Sequence, residues 1–172
     1  DLANMFSLIK FYKAALGAGI KPVCGCDVLV ESDDRSKQTR LVLLVKNEAG
    51  YLSLTKLISE LYTENPNQSE PVVRKSQLQG RVDGLIALSG AQNSDIGMAL
   101  LAEEADLAFE LLSEWKQLFP NSFYLELQRV GKAEEEDYIE AAIALALKSD
   151  CPVVATNDVR FIDQEDFDAH EV

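Results

Sequence analysis

Chemistry in this chain would gather where a short apolar run gives way to polar groups, at Cys151-Pro152-Val153-Val154-Ala155-Thr156-Asn157-Asp158-Val159-Arg160. Val153 to Ala155 is too short for a helix and rich in β-branched residues, so it reads as a buried strand. In α/β sheets and barrels the residues just past the carboxyl ends of strands line the working site. Asn157, Asp158 and Arg160 therefore stand where a reaction would be carried. In extended chain, positions 158 and 160 point the same way, and an Asp-x-His pair at this spacing would offer one metal two ligands. Here the second residue is Arg160, which brings hydrogen-bond donors and a fixed positive charge instead. Other candidate groups give weaker signals. His170 is the only histidine, a lone residue on an expected terminal helix over 164–172, and it reads as structural rather than as a general base. Cys24, Cys26 and Cys151 form an odd set without a C-x-x-C spacing, which argues against a disulfide framework or a zinc knuckle. Cys24 and Cys26 alternate along one strand and read as small buried apolar residues.

The charge balance narrows the partners. A formal net charge of -13 leaves little capacity to neutralise phosphates, so direct binding of nucleic acid is not expected. No apolar run approaches the roughly 18 residues of a membrane span, and the cysteine usage suits a reducing setting, so a soluble cytoplasmic protein is expected. The 172 residues suffice for one domain with its own core.

Periodicity supplies the elements that must position those groups. Met5, Leu8, Ile9, Tyr12, Ala15 and Leu16 predict an amphipathic helix over 4–18 with Asn4 as its N-cap. A strand follows over 20–30, with Gly25 permitting a close backbone approach, then a turn over 31–40 and a second buried strand over 40–45. Residues 48–63 form a helix with Tyr51, Leu54, Ile58 and Leu61 on one stripe. Residues 65–70 read as a surface loop. A short helix over 74–79 precedes a strand over 84–89. Two helical segments follow, the second over 103–119 with Trp115 as a core anchor. A strand over 123–127 and a helix over 134–148 lead back to the run at 153. The acidic stretches at 103–110 and 134–140 read as solvated faces. This alternation predicts an α/β fold of parallel strands wrapped by helices, either barrel or open sheet.

Several runs carry a family resemblance: Asn4-Met5-Phe6 through Lys10-Phe11-Tyr12, Ala18 to Pro22, Lys46-Asn47-Glu48-Ala49-Gly50-Tyr51, Gly84 to Gly90, Tyr124-Leu125-Glu126-Leu127 and Ala155-Thr156-Asn157-Asp158-Val159. In order and spacing the chain resembles the polymerase-and-histidinol-phosphatase (PHP) domain of bacterial replicative polymerases. The resemblance covers residues 1–172 as one domain and implies a distorted (β/α)7-like barrel, here incomplete at its amino end because the family's first strand, with a His-x-His pair, would precede Asp1. Metal-binding members hold three metals and hydrolyse phosphoesters, the metals lowering the pKa of a bound water and clamping the oxygens.

The resemblance further implies a vestigial site in this sequence. Asp1 matches an aspartate of the family, but Leu2 stands where a histidine belongs. Asp27 replaces a ligand glutamate, Arg40 occupies a ligand histidine position, Ala91 falls where a cysteine is expected, Asp158 is kept, and Arg160 replaces the last histidine. A unit charge pair about 4 Å apart is worth roughly 4 kcal/mol at an effective dielectric of about 20, so two arginines would oppose a divalent cation and pair with Asp1, Asp27 and Asp158 instead. The expectation is a non-catalytic scaffold without metal cofactor, belonging to a polymerase chain. It would contact that chain's other domains and a proofreading exonuclease subunit. The alternative is a metal-dependent phosphoesterase or 3′–5′ exonuclease holding Mn²⁺, Zn²⁺ or Mg²⁺ on Asp1, Asp27 and Asp158. A barrel lacking one strand would also expose an edge open to non-native self-association.

Overall fold

Strands β1 (Gly25–Glu31) and β2 (Gln38–Val45) form an antiparallel hairpin in which Gly25 faces Leu44 and Glu31 faces Gln38. In the computed structural model, which describes residues 3–31, 37–64 and 72–159, this hairpin supplies the second and third strands of a six-stranded sheet ordered β3-β1-β2-β4-β5-β6. The other strands are β3 (Val72–Arg74), β4 (Leu85–Leu88), β5 (Phe123–Gln128) and β6 (Val153–Thr156). The pairs β1/β3, β4/β5 and β5/β6 are parallel, whereas β2 runs antiparallel to both its neighbours. The all-parallel expectation is thus corrected at β2. A parallel return needs a crossover of about a dozen residues or more, and the link from β1 to β2 is far shorter. The α/β class holds, and among the described residues β3 and β6 are the two edges of the sheet.

Helices α1 (Leu8–Gly17), α2 (Glu48–Glu64), α3 (Lys75–Leu78), α4 (Asp95–Leu101), α5 (Ala105–Leu118) and α6 (Glu135–Ser149), with a 3-10 turn over Ala91–Asn93, complete the described elements. One face of the hairpin, with Cys26, Val28 and Val30 beside Leu41 and Leu43, enters the main core together with Leu54, Leu57 and Leu61 of α2. Burial pushes the Cys26 thiol up to about 11, so it stays protonated and behaves as a small apolar residue. Trp115 is the anchor expected of it. Its ring stacks on Phe123 with centroids 6.0 Å apart, and its Nε1 donates to the Asp95 carboxylate at 2.9 Å. Asp95 opens α4, where the Ser94 Oγ accepts from the Gly97 amide.

Three local expectations change. Helix α1 begins at Leu8, not at residue 4, because Asn4 turns its side chain onto the Phe6 amide and holds the chain short of the helix. The first strand begins at Gly25 rather than residue 20. The run at 153 is a strand, but not a buried one: Val153 is 46% exposed and β6 pairs with β5 alone among the described strands. Strand β3 had no periodic signal, being three residues long. The loop expected over 65–70 and the helix expected over 164–172 with His170 lie outside the described residues.

Close packing of α2 on the sheet rests on two glycines. A Cβ at Gly50 would sit 1.9 Å from the Gly84 carbonyl oxygen, and Gly84 itself adopts φ 72. The Asn47 Oδ1, which accepts from the Gly50 amide at 3.1 Å, starts the helix at the same spot. Gly50→Ala should therefore lower stability by about 1–3 kcal/mol through backbone displacement, read as an earlier urea midpoint. Gly17→Ala, with open space around it, should leave the midpoint unchanged or raise it.

Candidate functional site

The second face of the β1–β2 hairpin carries the polar residues. Asp27 lies opposite Val42, and Arg40 two positions along β2 shares that face, so the two side chains meet as a diagonal cross-strand pair. Arg40 Nη2 lies 2.5 Å from Asp27 Oδ2. Its Nη1 lies 3.6 Å from Asp158 Oδ1, just past the end of β6. One guanidinium thus spans a carboxylate of β1 and one just past the end of β6. Asp158 receives a second cation, Lys132 Nζ at 3.0 Å, from the loop between β5 and α6. The Arg40 Nε is buried and has no hydrogen-bond acceptor among the described residues.

Beneath this layer runs a satisfied polar network. Glu126, 2% exposed in the middle of β5, accepts from the Gly90 amide at 3.1 Å, from Gln128 Nε2 at 3.2 Å and from Thr156 Oγ1 at 2.5 Å. Its own amide donates to Ser89 Oγ, and its carbonyl accepts from the buried Tyr138 hydroxyl at 2.7 Å. Burial pushes the Tyr138 hydroxyl well above the usual tyrosine range, so it remains a donor. Gly90 is the hinge of the arrangement. It adopts φ 91, and a Cβ there would fall 2.3 Å from the Arg40 carbonyl oxygen. Ala91 follows, buried, with a methyl group that coordinates nothing.

The loop carrying Lys132 is held from α6. Glu135 is 4% exposed and accepts from the Val130 and Gly131 amides, both at 2.9 Å or less. The Val130 amide is the main cause of a Glu135 pKa below the usual glutamate value. Its expected role as part of a solvated acidic face is corrected, since carboxylates gain more from unpaired loop amides than from water. Neither this loop staple nor the buried Glu126 network was expected from the residues alone. An acidic residue inside an otherwise apolar strand, as in Tyr124-Leu125-Glu126-Leu127, was the available signal.

Of the five residues anticipated for the site, Asp27, Arg40 and Asp158 come together; Asp1 and Arg160 lie outside the described residues. A divalent metal needs several anionic or imidazole donors facing one point. Among the described residues no group of three or more His, Cys, Asp or Glu side chains is placed to hold one, and the two carboxylates here are already joined through a cation. The described donor set does not fit a metal.

Residues 1–130 match the PHP domain model. The chain belongs to the PHP domain family. It is 48% identical over 172 residues to DNA polymerase III subunit alpha of Pseudomonas aeruginosa, and 43% identical over 173 residues to that of Escherichia coli K12. These alignments cover 99–100% of this chain and 15% of each relative, so the chain spans less than a sixth of their length. A solved structure from Bifidobacterium adolescentis superposes with a TM-score of 0.49 at 9% identity, over 90% of this chain and 73% of that one. At that level it carries no argument. No described helix is long and apolar enough to cross a membrane.

Two outcomes test this geometry. Arg40→Met should cost about 1–3 kcal/mol by leaving two partly buried carboxylates without their shared cation. Adding Asp27→Asn should recover part of that loss in a double-mutant cycle. For Glu135, whose folded pKa is depressed, the contribution is present above the unfolded value of 4.5 and is lost as pH falls through the folded value. The stability gap between the wild type and Glu135→Gln should hold at neutral pH and close in acid.

Proposed function

We propose that residues 1–172 are a non-catalytic PHP domain of a replicative DNA polymerase alpha chain, acting in DNA replication as a scaffold. In this reading Arg40 takes the place a metal holds in active members, and no phosphoester hydrolysis occurs at the mouth. The observation that carries it is the Arg40 guanidinium lying between Asp27 and Asp158. A cation already fixed there neutralises the carboxylates that would otherwise attract a divalent ion, and it repels one electrostatically. Similarity to DNA polymerase III alpha subunits over the whole chain supports the assignment to replication. The chain's other polymerase domains and a separate proofreading exonuclease are the proposed partners, and the cytoplasm the proposed location.

The test is calorimetric titration with Mn²⁺ and Zn²⁺, together with hydrolysis of a generic phosphodiester in Mn²⁺ by the wild type and Asp158→Ala. The scaffold reading expects no tight metal binding and the same background rate in both proteins. Tight binding, with activity that disappears in Asp158→Ala, would instead establish a metal-dependent phosphoesterase.

A further inference from the structure

The loop between β5 and α6 is not held by packing. Residues 129–134 are all exposed, and Gly131 and Glu134 take the left-handed region at φ 84 and φ 59. Successive amides in such a loop form a concave seat for an anion. Here the Val130 amide lies 2.8 and 2.9 Å from the two Glu135 carboxylate oxygens, and the Gly131 amide lies 2.9 Å from one of them. Glu135 itself is 4% exposed, so the chain fills its own seat with a buried carboxylate. Two further ties lie at the ends of the loop. Arg129 pairs with Glu136 in open solvent, and the Ala133 carbonyl accepts from Gln92 Nε2 at 2.8 Å.

The middle of the loop reaches the mouth. Lys132 Nζ lies 3.0 Å from Asp158 Oδ2, and Arg40 Nη1 lies 3.6 Å from Asp158 Oδ1. Each oxygen of the Asp158 carboxylate therefore faces a cation, and Lys132 is the more exposed of the two, at 43% against 15%. An exposed lysine–carboxylate pair is worth less than the cost of ordering a few residues of backbone. The pair does not place the loop; the loop has to be placed for the pair to form.

We propose that residues 129–134 are a strap fastened by Glu135, and that Lys132 on this strap closes the mouth by pairing with Asp158. The contact is autoinhibitory, since it puts a cation of the chain where one from solution would otherwise pair. Glu135 is a positioning residue: it acts on Asp158 through the backbone of Val130 and Gly131 and the side chain of Lys132. This coupling holds whether the mouth is a scaffold or a reaction site, so it goes beyond the proposed function and does not rest on it.

Peptide-resolved mass spectrometry of the full-length protein that carries these residues reads both ends of the strap. One reading is amide exchange at Val130 and Gly131; the other is the rate of Lys132 acylation, with the exposed Lys56 of α2 as internal standard. Glu135→Ala should speed exchange at the two amides about tenfold or more, as expected for losing a hydrogen bond to a charged group. It should raise Lys132 acylation about two- to fivefold, as expected for losing an exposed ion pair. Glu135→Gln, which keeps one oxygen in the seat, should fall between, and it carries the test if the alanine variant does not fold. Glu136→Gln removes the same charge from the same turn of α6 but touches neither loop amide, so both readings should stay at wild-type values. If it moves them as far as Glu135→Ala, helix charge rather than fastening is at work and the proposal is overturned. Asp158→Asn should free Lys132 while both amides stay protected, and adding Glu135→Ala should then raise acylation no further. An additive rise means that Glu135 acts on Lys132 through its field alone and overturns the proposal, as does unchanged Lys132 acylation in Glu135→Ala.

Discussion

A single guanidinium held between carboxylates of β1 and of the chain just past β6 is the interaction on which the mouth of this sheet depends. Asp27 and Asp158 would repel each other across the end of the sheet, and Arg40 converts that repulsion into attraction. It can do so because β2 runs against its neighbours. The antiparallel register sets Arg40 diagonally across from Asp27 and level with Gly90, whose missing side chain lets the end of β4 pass the Arg40 carbonyl.

The layers below follow from that placement. Strand ends that converge on a charged cluster leave backbone amides and carbonyls needing partners away from water. Glu126 meets the Gly90 amide and ties β5 to the end of β6 through Thr156, while Tyr138 brings α6 onto the same strand. Glu135 restrains the loop that delivers Lys132 to Asp158. The end of β4 and the end of β6 are thus tied to β5 through the Glu126 carboxylate, and α6 through that residue's backbone carbonyl. Under the proposed function this network would hold the mouth in shape without a metal, which suits a domain whose task is to present surfaces.

Those surfaces are uneven in character. The chain carries 29 acidic residues against 16 basic ones, yet α1 leaves large apolar side chains and lysines in solvent. Its neighbourhood also differs in burial from α2, which places Leu54, Leu57, Ile58 and Leu61 against the sheet. Both helices have strong apolar patterns. One has a core to meet among the described residues and the other does not.

That contrast marks the border of what was legible in the amino-acid order alone. Local periodicity and turn chemistry were enough to place α2, α5, α6 and most strands, to name Trp115 as an anchor, and to single out Asp158 just past a strand end, whereas Asp27 and Arg40 were singled out by the family resemblance. These signals are local because side-chain spacing follows the 3.6 and 2.0 residue repeats of helix and strand. Strand direction, the exposure of Val153, the burial of Glu126 and Glu135, and the arrival of Lys132 beside Asp158 were decided only by tertiary structure. Each depends on which distant segment lies alongside, and a carboxylate becomes an interior group only when unpaired amides from elsewhere in the chain are brought to it.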